Sequence, residues 1–311
     1  MLAPRDPSAL VAAAASGDRR ALARLITLIE EDGPRAGEAL RAAFGAAKPA
    51  YRVGITGAPG AGKSTLTDGL IRVIRAGGDR VAALAVDPTS PFSGGAVLGD
   101  RVRMQDHVLD PGVYIRSMAT RGHLGGLSAA APKALLALEA AGYPWVLVET
   151  VGVGQDEVEV TASTDTVVVV VTPGWGDGIQ AAKAGILEIG DVFVVNKSDR
   201  PGAAETAADL RAMLALAPAG DWVPPIIETV ASKGVGIDGL WEAVQAHRAQ
   251  LGRDGRAVRL ARRRIADLDA ALIAALRRRA QALTATDPAL VAAVERGEID
   301  PWSAAARLSG A

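Results

Sequence analysis

A chain of 311 residues, 49% hydrophobic and 22% charged, is built like a soluble globular protein, and its net charge of −1 argues against coating nucleic acid or anionic membrane. With no cysteine, disulfides and thiolate metal sites are excluded, as suits a reducing cytosol. The longest apolar run, 166–172 (TVVVVVT), is far too short to span a bilayer, and LVAAAA (10–15), flanked by Asp6 and Asp18, lacks a signal peptide's basic lead. A cytoplasmic protein is expected.

Residues 1–45 read as helical. Asp6-Pro7 supplies an N-cap with proline in the first turn, and Asp18 caps a second helix carrying Leu22, Leu25, Ile26 and Ile29, which Gly33-Pro34 stops. Residues 1–48 are then an N-terminal helical extension, too small to stand alone and expected to pack on the domain that begins at residue 49. From 49 to 250 strand and helix patterns alternate, which predicts an α/β fold with a mainly parallel β-sheet flanked by helices. The expected strands are 52–56, 80–86, 112–116, 145–149, 166–172, 191–196 and 225–230. Between 87 and 128 glycine and charge are dense and periodicity is weak, the pattern of a functional loop.

Residues 251–311 read as a C-terminal helical arm. Val258, Ile265, Leu268, Leu272 and Leu276 recur at helical spacing among arginines 262–264 and 277–279. Two short helices each open on Asp-Pro, at Asp287 and Asp300. The arginines read most simply as a solvated helix face, with a charged surface for dimer or partner contact as the alternative.

The chemistry begins where the first expected strand ends. Gly57-Ala58-Pro59-Gly60-Ala61-Gly62-Lys63-Ser64-Thr65 fits the P-loop pattern G-x-x-x-x-G-K-[ST], with a strand before it and a helical pattern (Leu66, Leu70, Ile71, Ile74) after. The glycines let successive N–H groups converge, and these donors with the positive helix end hold α- and β-phosphates. Lys63 is expected to bridge the β- and γ-phosphates, and the Ser64 hydroxyl to ligate Mg²⁺.

Asn196-Lys197-Ser198-Asp199, at the end of DVFVV, fits N-K-x-D, in which the aspartate accepts from guanine N1–H and N2–H₂. Adenine would leave that carboxylate unsatisfied, so GTP is favoured over ATP. Lys197 would lie along the base plane and Asn196 would tie loops together. Val230-Ala231-Ser232 is the expected last base-contacting loop, with N–H groups of Ala231 and Ser232 available to guanine O6; Val230 departs from the Ser-Ala usual there. On the γ-phosphate side, Glu149-Thr150-Val151-Gly152 stands where many GTPases carry D-x-x-G. Gly152 N–H is placed to sense the γ-phosphate, and Glu149 to bind Mg²⁺ through water or to orient the attacking water. With Asp87 and Asp100, Glu149 makes three carboxylates converging on the P-loop mouth, a magnesium site. The three histidines show neither metal-ligand spacing nor a nucleophile–base arrangement.

These residues resemble the MeaB/ArgK family of P-loop GTPases, whose human relative is the methylmalonic aciduria type A protein. The resemblance rests on GAPGAGKST (57–65), LAVDPTSPFSGGAVLGDRVRM (84–104), SMATRGHLGGLS (117–128), ETVGVGQDE (149–157), TPGWGDGIQAAKAGILEIGDVFVVNKSD (172–199) and the terminal helices. It implies a homodimeric G protein that binds GTP and GDP and hydrolyses GTP slowly. It also implies a chaperone for an adenosylcobalamin-dependent acyl-CoA mutase, usually methylmalonyl-CoA mutase, gating cofactor loading and protecting the mutase. By the same resemblance Lys63 and Ser64 are the P-loop lysine and Mg²⁺ ligand, Asp87, Asp100 and Glu149 the acidic residues of the magnesium and switch region, and Lys183 lies in the partner-facing switch loop. Lys63, Asp100 and Glu149 are the expected catalytic residues. The C-terminal helices look like the family's dimerisation arm. Arg101, Arg103, Arg116 and Arg121 are candidates for an arginine finger. Two alternatives are a kinase passing the γ-phosphoryl to a protein or small molecule, and a GTPase of a metal-insertion or secretory system. The base reader argues against the first; the second lacks metal-carrying tracts and a methionine-rich domain.

Overall fold

Seven strands build one sheet: β1 (Tyr51–Gly57), β2 (Val81–Asp87), β3 (Val113–Ala119), β4 (Trp145–Thr150), β5 (Thr166–Val171), β6 (Val192–Asn196) and β7 (Ile226–Thr229). The computed structural model describes residues 6–31, 33–87, 107, 109–119, 131–150, 162–174, 188–216 and 221–310. The sheet order is β3-β2-β4-β1-β5-β6-β7, and every neighbouring pair is parallel. This is the α/β architecture that the alternating pattern predicts. β4, β5 and β6 are buried along their whole length, which is why they read as near-continuous valine runs. Val167, Val169 and Val171 face one core, and Val168 and Val170 face the other.

Nine helices lie among the described residues: α1 (Pro7–Ala15), α2 (Arg19–Glu30), α3 (Ala36–Ala46), α4 (Lys63–Ala76), α5 (Ala131–Ala140), α6 (Ala203–Leu214), α7 (Ile237–Thr286), α8 (Pro288–Glu295) and α9 (Pro301–Ser309). Asp6 accepts from the Ala9 N–H at 2.9 Å, and Asp18 from Arg20 and Ala21 at 2.8 and 3.1 Å, so both N-terminal caps form. Leu22, Leu25, Ile26 and Ile29 of α2 are fully buried in the core that also takes in Leu84 and Val148. α3 follows the Gly33-Pro34 stop and lies within the 1–45 stretch that reads as helical. Across the sheet, Leu66, Leu70, Ile71 and Ile74 of α4 share the second core with Ile237, Leu240 and Val244 of α7.

The chain divides into two compact units, residues 1–263 and 264–311. α7 carries a kink at Gly252, where φ is 57° and ψ −160°. The first unit ends at Arg263 because α7 is tied to the amino ends of the strands. Arg259 forms a two-pronged pair with Asp191 at 2.9 and 2.8 Å, Arg256 donates to the Pro49 carbonyl, and Arg263 reaches Asp165 at 3.4 Å. A solvated face is therefore wrong for Arg263, which is 3% exposed; Arg262 and Arg264 on either side are exposed. In the second unit Asp287 and Asp300 cap α8 and α9 through Leu290 and Ser303 N–H, both at 2.9 Å. Ile265, Leu268, Leu272 and Leu276 are 55–60% exposed. No helix among the described residues is long and apolar enough to cross a membrane.

Candidate functional site

β1 lies between β4 and β5, so its carboxyl end opens at the centre of the sheet, where parallel α/β sheets bind ligands. The loop from Gly57 to Gly62 leaves that end and α4 begins at Lys63. Two of its glycines are obligatory. Gly57 has φ 132°, and a Cβ there would run into the Val170 carbonyl of β5; Gly62 has φ 94°, and a Cβ would run into the Asn196 amide nitrogen. The Lys63 ammonium donates to the Gly57 and Ala58 carbonyls at 2.7 and 3.0 Å. Pro59 and Gly60 are exposed, Ala61 is buried, and Thr65 is half-buried on the first turn of α4.

Glu149, near the end of β4, is buried against this turn. The Ser64 hydroxyl donates to Glu149 Oε1 at 2.6 Å, and the Thr67 hydroxyl lies 3.0 Å from Oε2. A buried carboxylate beside the P-loop hydroxyl is a set of hard oxygen donors that suits Mg²⁺. Among the described residues no group of three or more His, Cys, Asp or Glu is placed to hold a metal. Asp87 ends β2, but its side chain, and all of Asp100, Gly152 and Lys183, lie outside the described residues.

On the base side, Asn196 joins three segments. Its Nδ2 donates to the Ala61 carbonyl at 2.7 Å, and its Oδ1 accepts from the Thr229 hydroxyl at 3.0 Å and the Ala231 N–H at 3.1 Å. The Ala231 N–H, expected from the sequence to meet guanine O6, therefore already has an acceptor in Asn196. Val230 is buried and bridges Val235, while Ser232 is exposed on the short 3-10 turn Ala231–Lys233. Lys197 has φ 60° and its ammonium donates to the Gly60 carbonyl at 2.7 Å. Asp199 pairs with Lys233 at 2.9 Å, and that hydrogen bond holds its carboxyl below the ordinary range. P-loop, Asn196, Lys197 and the 230–232 loop are thus one connected rim.

Arg116 is not a finger candidate: it pairs with Glu30 of α2 at 2.8 Å. Arg101, Arg103 and Arg121 lie outside the described residues. The partners of α4 are a further finding that the sequence pattern does not disclose. Asp68 receives His107 Nε2 at 2.8 Å, and Arg75 grips Asp110 at 2.8 and 3.1 Å, fixing the segment that leads into β3. Only the i, i+3 spacing of the hydroxyls Ser64 and Thr67 marks the second contact to Glu149 in the sequence.

The family model for the methylmalonyl-CoA mutase-associated GTPase MeaB matches residues 22–284. A Pyrococcus abyssi relative is 48% identical over 298 residues, spanning 93% of this chain and 91% of its own length. The GTPase ArgK of Escherichia coli is 38% identical over 250 residues, 77% of this chain and 75% of its own. The crystal structure of a LAO/AO transport system kinase superposes with a TM-score of 0.71 at 26% identity, covering 100% of this chain and 98% of that one.

Proposed function

Since the chain belongs to the MeaB family of mutase-associated GTPases, we propose that its GTPase cycle serves as a chaperone switch for an adenosylcobalamin-dependent acyl-CoA mutase, most simply methylmalonyl-CoA mutase. The observation that carries this reading is the family match, which runs from α2 through the P-loop unit into the arm. In this reading nucleotide state gates cofactor loading and protects the mutase. A γ-phosphate held by glycine-rich loops orders them, and hydrolysis releases them.

In the site, P-loop N–H groups and Lys63 bind phosphate, and Asp199 reads guanine. Ser64, with Glu149, Asp87 and Asp100, provides the magnesium side. The 2.6 Å bond from Ser64 to Glu149 supports that assignment, because a P-loop hydroxyl aimed by an acidic partner keeps its lone pairs for a cation. When bound, Mg²⁺ neutralises charge developing on the phosphates. Lys183 acts in the loop that answers to the mutase. Residues 1–48, 49–250 and 251–311 act as helical extension, GTPase domain and dimerisation arm of a cytoplasmic homodimer. The exposed Ile265, Leu268, Leu272 and Leu276 support the arm's role, since a row of large apolar side chains in water favours a covering surface.

The test is co-elution of the purified protein with an acyl-CoA mutase of the same organism in GDP and in a non-hydrolysable GTP analogue. A complex whose stability differs between the two nucleotides supports the switch; no complex in either contradicts the client assignment. A kinase reading takes support from the name of the superposed transport-system kinase. It predicts labelled γ-phosphate on a protein rather than as free phosphate. A metal-insertion role has little to draw on in a chain with no cysteine and three histidines.

A further inference from the structure

The geometry points to Thr67 as a positioning residue that holds the Glu149 carboxylate in line with the P-loop serine. This rests on the reading of Glu149 as the magnesium-side carboxylate. Glu149 is anchored at both oxygens from one helix: Ser64 Oγ on Oε1 at 2.6 Å, and Thr67 Oγ1 on Oε2 at 3.0 Å. The two hydroxyls lie at i and i+3 on the first turns of α4 and therefore share a face. Thr67 is 0% exposed and Glu149 6%, so water is a poor substitute for either anchor.

Two anchors matter because the residue is glutamate. An aspartate at the end of such a strand has one fewer rotatable bond between backbone and carboxylate. The longer side chain of Glu149 has an extra torsion to fix, and a hydrogen bond on each oxygen constrains it more than a bond to Oε1 does. Thr67 supplies the one on Oε2. Its single hydroxyl hydrogen has two acceptors in reach, Glu149 Oε2 and the Lys63 carbonyl at 2.9 Å. An ionised carboxylate is the stronger of the two. Thr67 thereby ties the Glu149 carboxylate to the same helical turn that carries Lys63 and Ser64.

The experiment measures the affinity of a fluorescent GDP analogue with Mg²⁺ and with EDTA, for the parent, Glu149→Ala, Thr67→Val, Thr67→Ser and the double variant Thr67→Val/Glu149→Ala. Valine keeps the shape of threonine and lacks the hydroxyl; serine keeps the hydroxyl and lacks the methyl. Thr67→Val is expected to lose about tenfold of the tightening that Mg²⁺ confers, the worth of a hydrogen bond to a charged group, with affinity in EDTA nearly unchanged. Thr67→Ser should retain that tightening, and Thr67→Val should add nothing in the Glu149→Ala background. If Glu149→Ala removes the Mg²⁺ effect while Thr67→Val does not, Thr67 has no positioning role and the reading of Glu149 stands. If Glu149→Ala itself leaves the Mg²⁺ effect intact, both are overturned. A loss in Thr67→Ser equal to that in Thr67→Val assigns the effect to methyl packing and also overturns the inference. Should valine prevent folding, Thr67→Ala against Thr67→Ser makes the same comparison, differing only in the hydroxyl.

Discussion

The Asn196 side chain donates to the carbonyl of Ala61 at 2.7 Å, binding the N-K-x-D strand end to the P-loop across 135 residues of sequence. Its other atom, Oδ1, accepts from Thr229 and Ala231, so one buried amide holds three loops in register. Asn196→Ala strands the Thr229 hydroxyl and the Ala231 N–H. The expected loss is roughly 2–4 kcal/mol of stability, the sum of a few buried hydrogen bonds, read from urea unfolding. GDP affinity should fall with it, since Gly62 and Ala61 lose their backing. A change below about 0.5 kcal/mol would contradict the joint role.

Asp199→Asn tests base recognition directly. A carboxylate accepts from guanine N1–H and N2–H₂, whereas an amide presents a donor where guanine also donates. Guanine affinity should fall roughly a hundredfold or more, because the site's polar groups are then mispaired. Xanthine carries an oxygen in place of the 2-amino group, so xanthosine diphosphate should bind the variant better than GDP does. Equal binding of GDP by parent and variant in a competition titration would remove Asp199 from the base site.

How far the fold and site were legible depends on the range of each interaction. The P-loop, the Asp6, Asp18, Asp287 and Asp300 caps and the valine strands are local patterns, and each forms where the sequence places it. Arg263 departs from the solvated-face pattern because only the distant Asp165 and Glu139 bury it, while its neighbours Arg262 and Arg264 are solvated. Arg116 was misplaced for the same reason, its partner Glu30 lying 86 residues away. α3, an alanine- and glycine-rich stretch after the Gly33-Pro34 stop, falls within the 1–45 span that reads as helical and packs on the first core through Ala39 and Ala43. Thr67 is not marked in the sequence because its worth depends on where β4 places Glu149.

The amino end of the sheet carries its own buried charges, remote in role from the nucleotide rim. Arg52 of β1 meets Glu139 at 2.9 Å through both Nε and Nη2, and Glu139 also accepts from the Ala50 N–H at 3.2 Å. Glu139→Ala leaves Arg52 charged and buried with its pairing broken, for an expected loss of about 3–5 kcal/mol. Calorimetry should show the lowered melting temperature, and the GDP affinity of the protein that remains folded should match the parent.

A pH dependence arises from His247. Burial pushes its pKa below the ordinary 6.5, against the pull of Asp191, whose Oδ1 lies 3.3 Å from Nε2. Thr166 Oγ1 faces Nδ1 at 2.8 Å, and Asp165, Arg259 and the Trp222 ring complete the surroundings. Because the folded pKa lies below the unfolded one, the unfolded chain takes up more protons once the pH drops under about 6.5. His247's contribution is fully present above that value and is lost as the pH falls through the folded pKa. Urea midpoints measured from pH 7.5 down to 5 should fall less steeply in His247→Gln than in the parent. Parallel slopes would assign the pH dependence to other groups.

The mutase-gated switch is tested most directly by phosphate release from GTP, measured with the purified protein alone and with an adenosylcobalamin-dependent acyl-CoA mutase from the same organism. Release should be slow alone and several-fold faster with the mutase, and Lys183→Ala should lose that acceleration with GDP binding intact. A rate that the mutase leaves unchanged would contradict the partner-gated switch and leave a GTPase without this client.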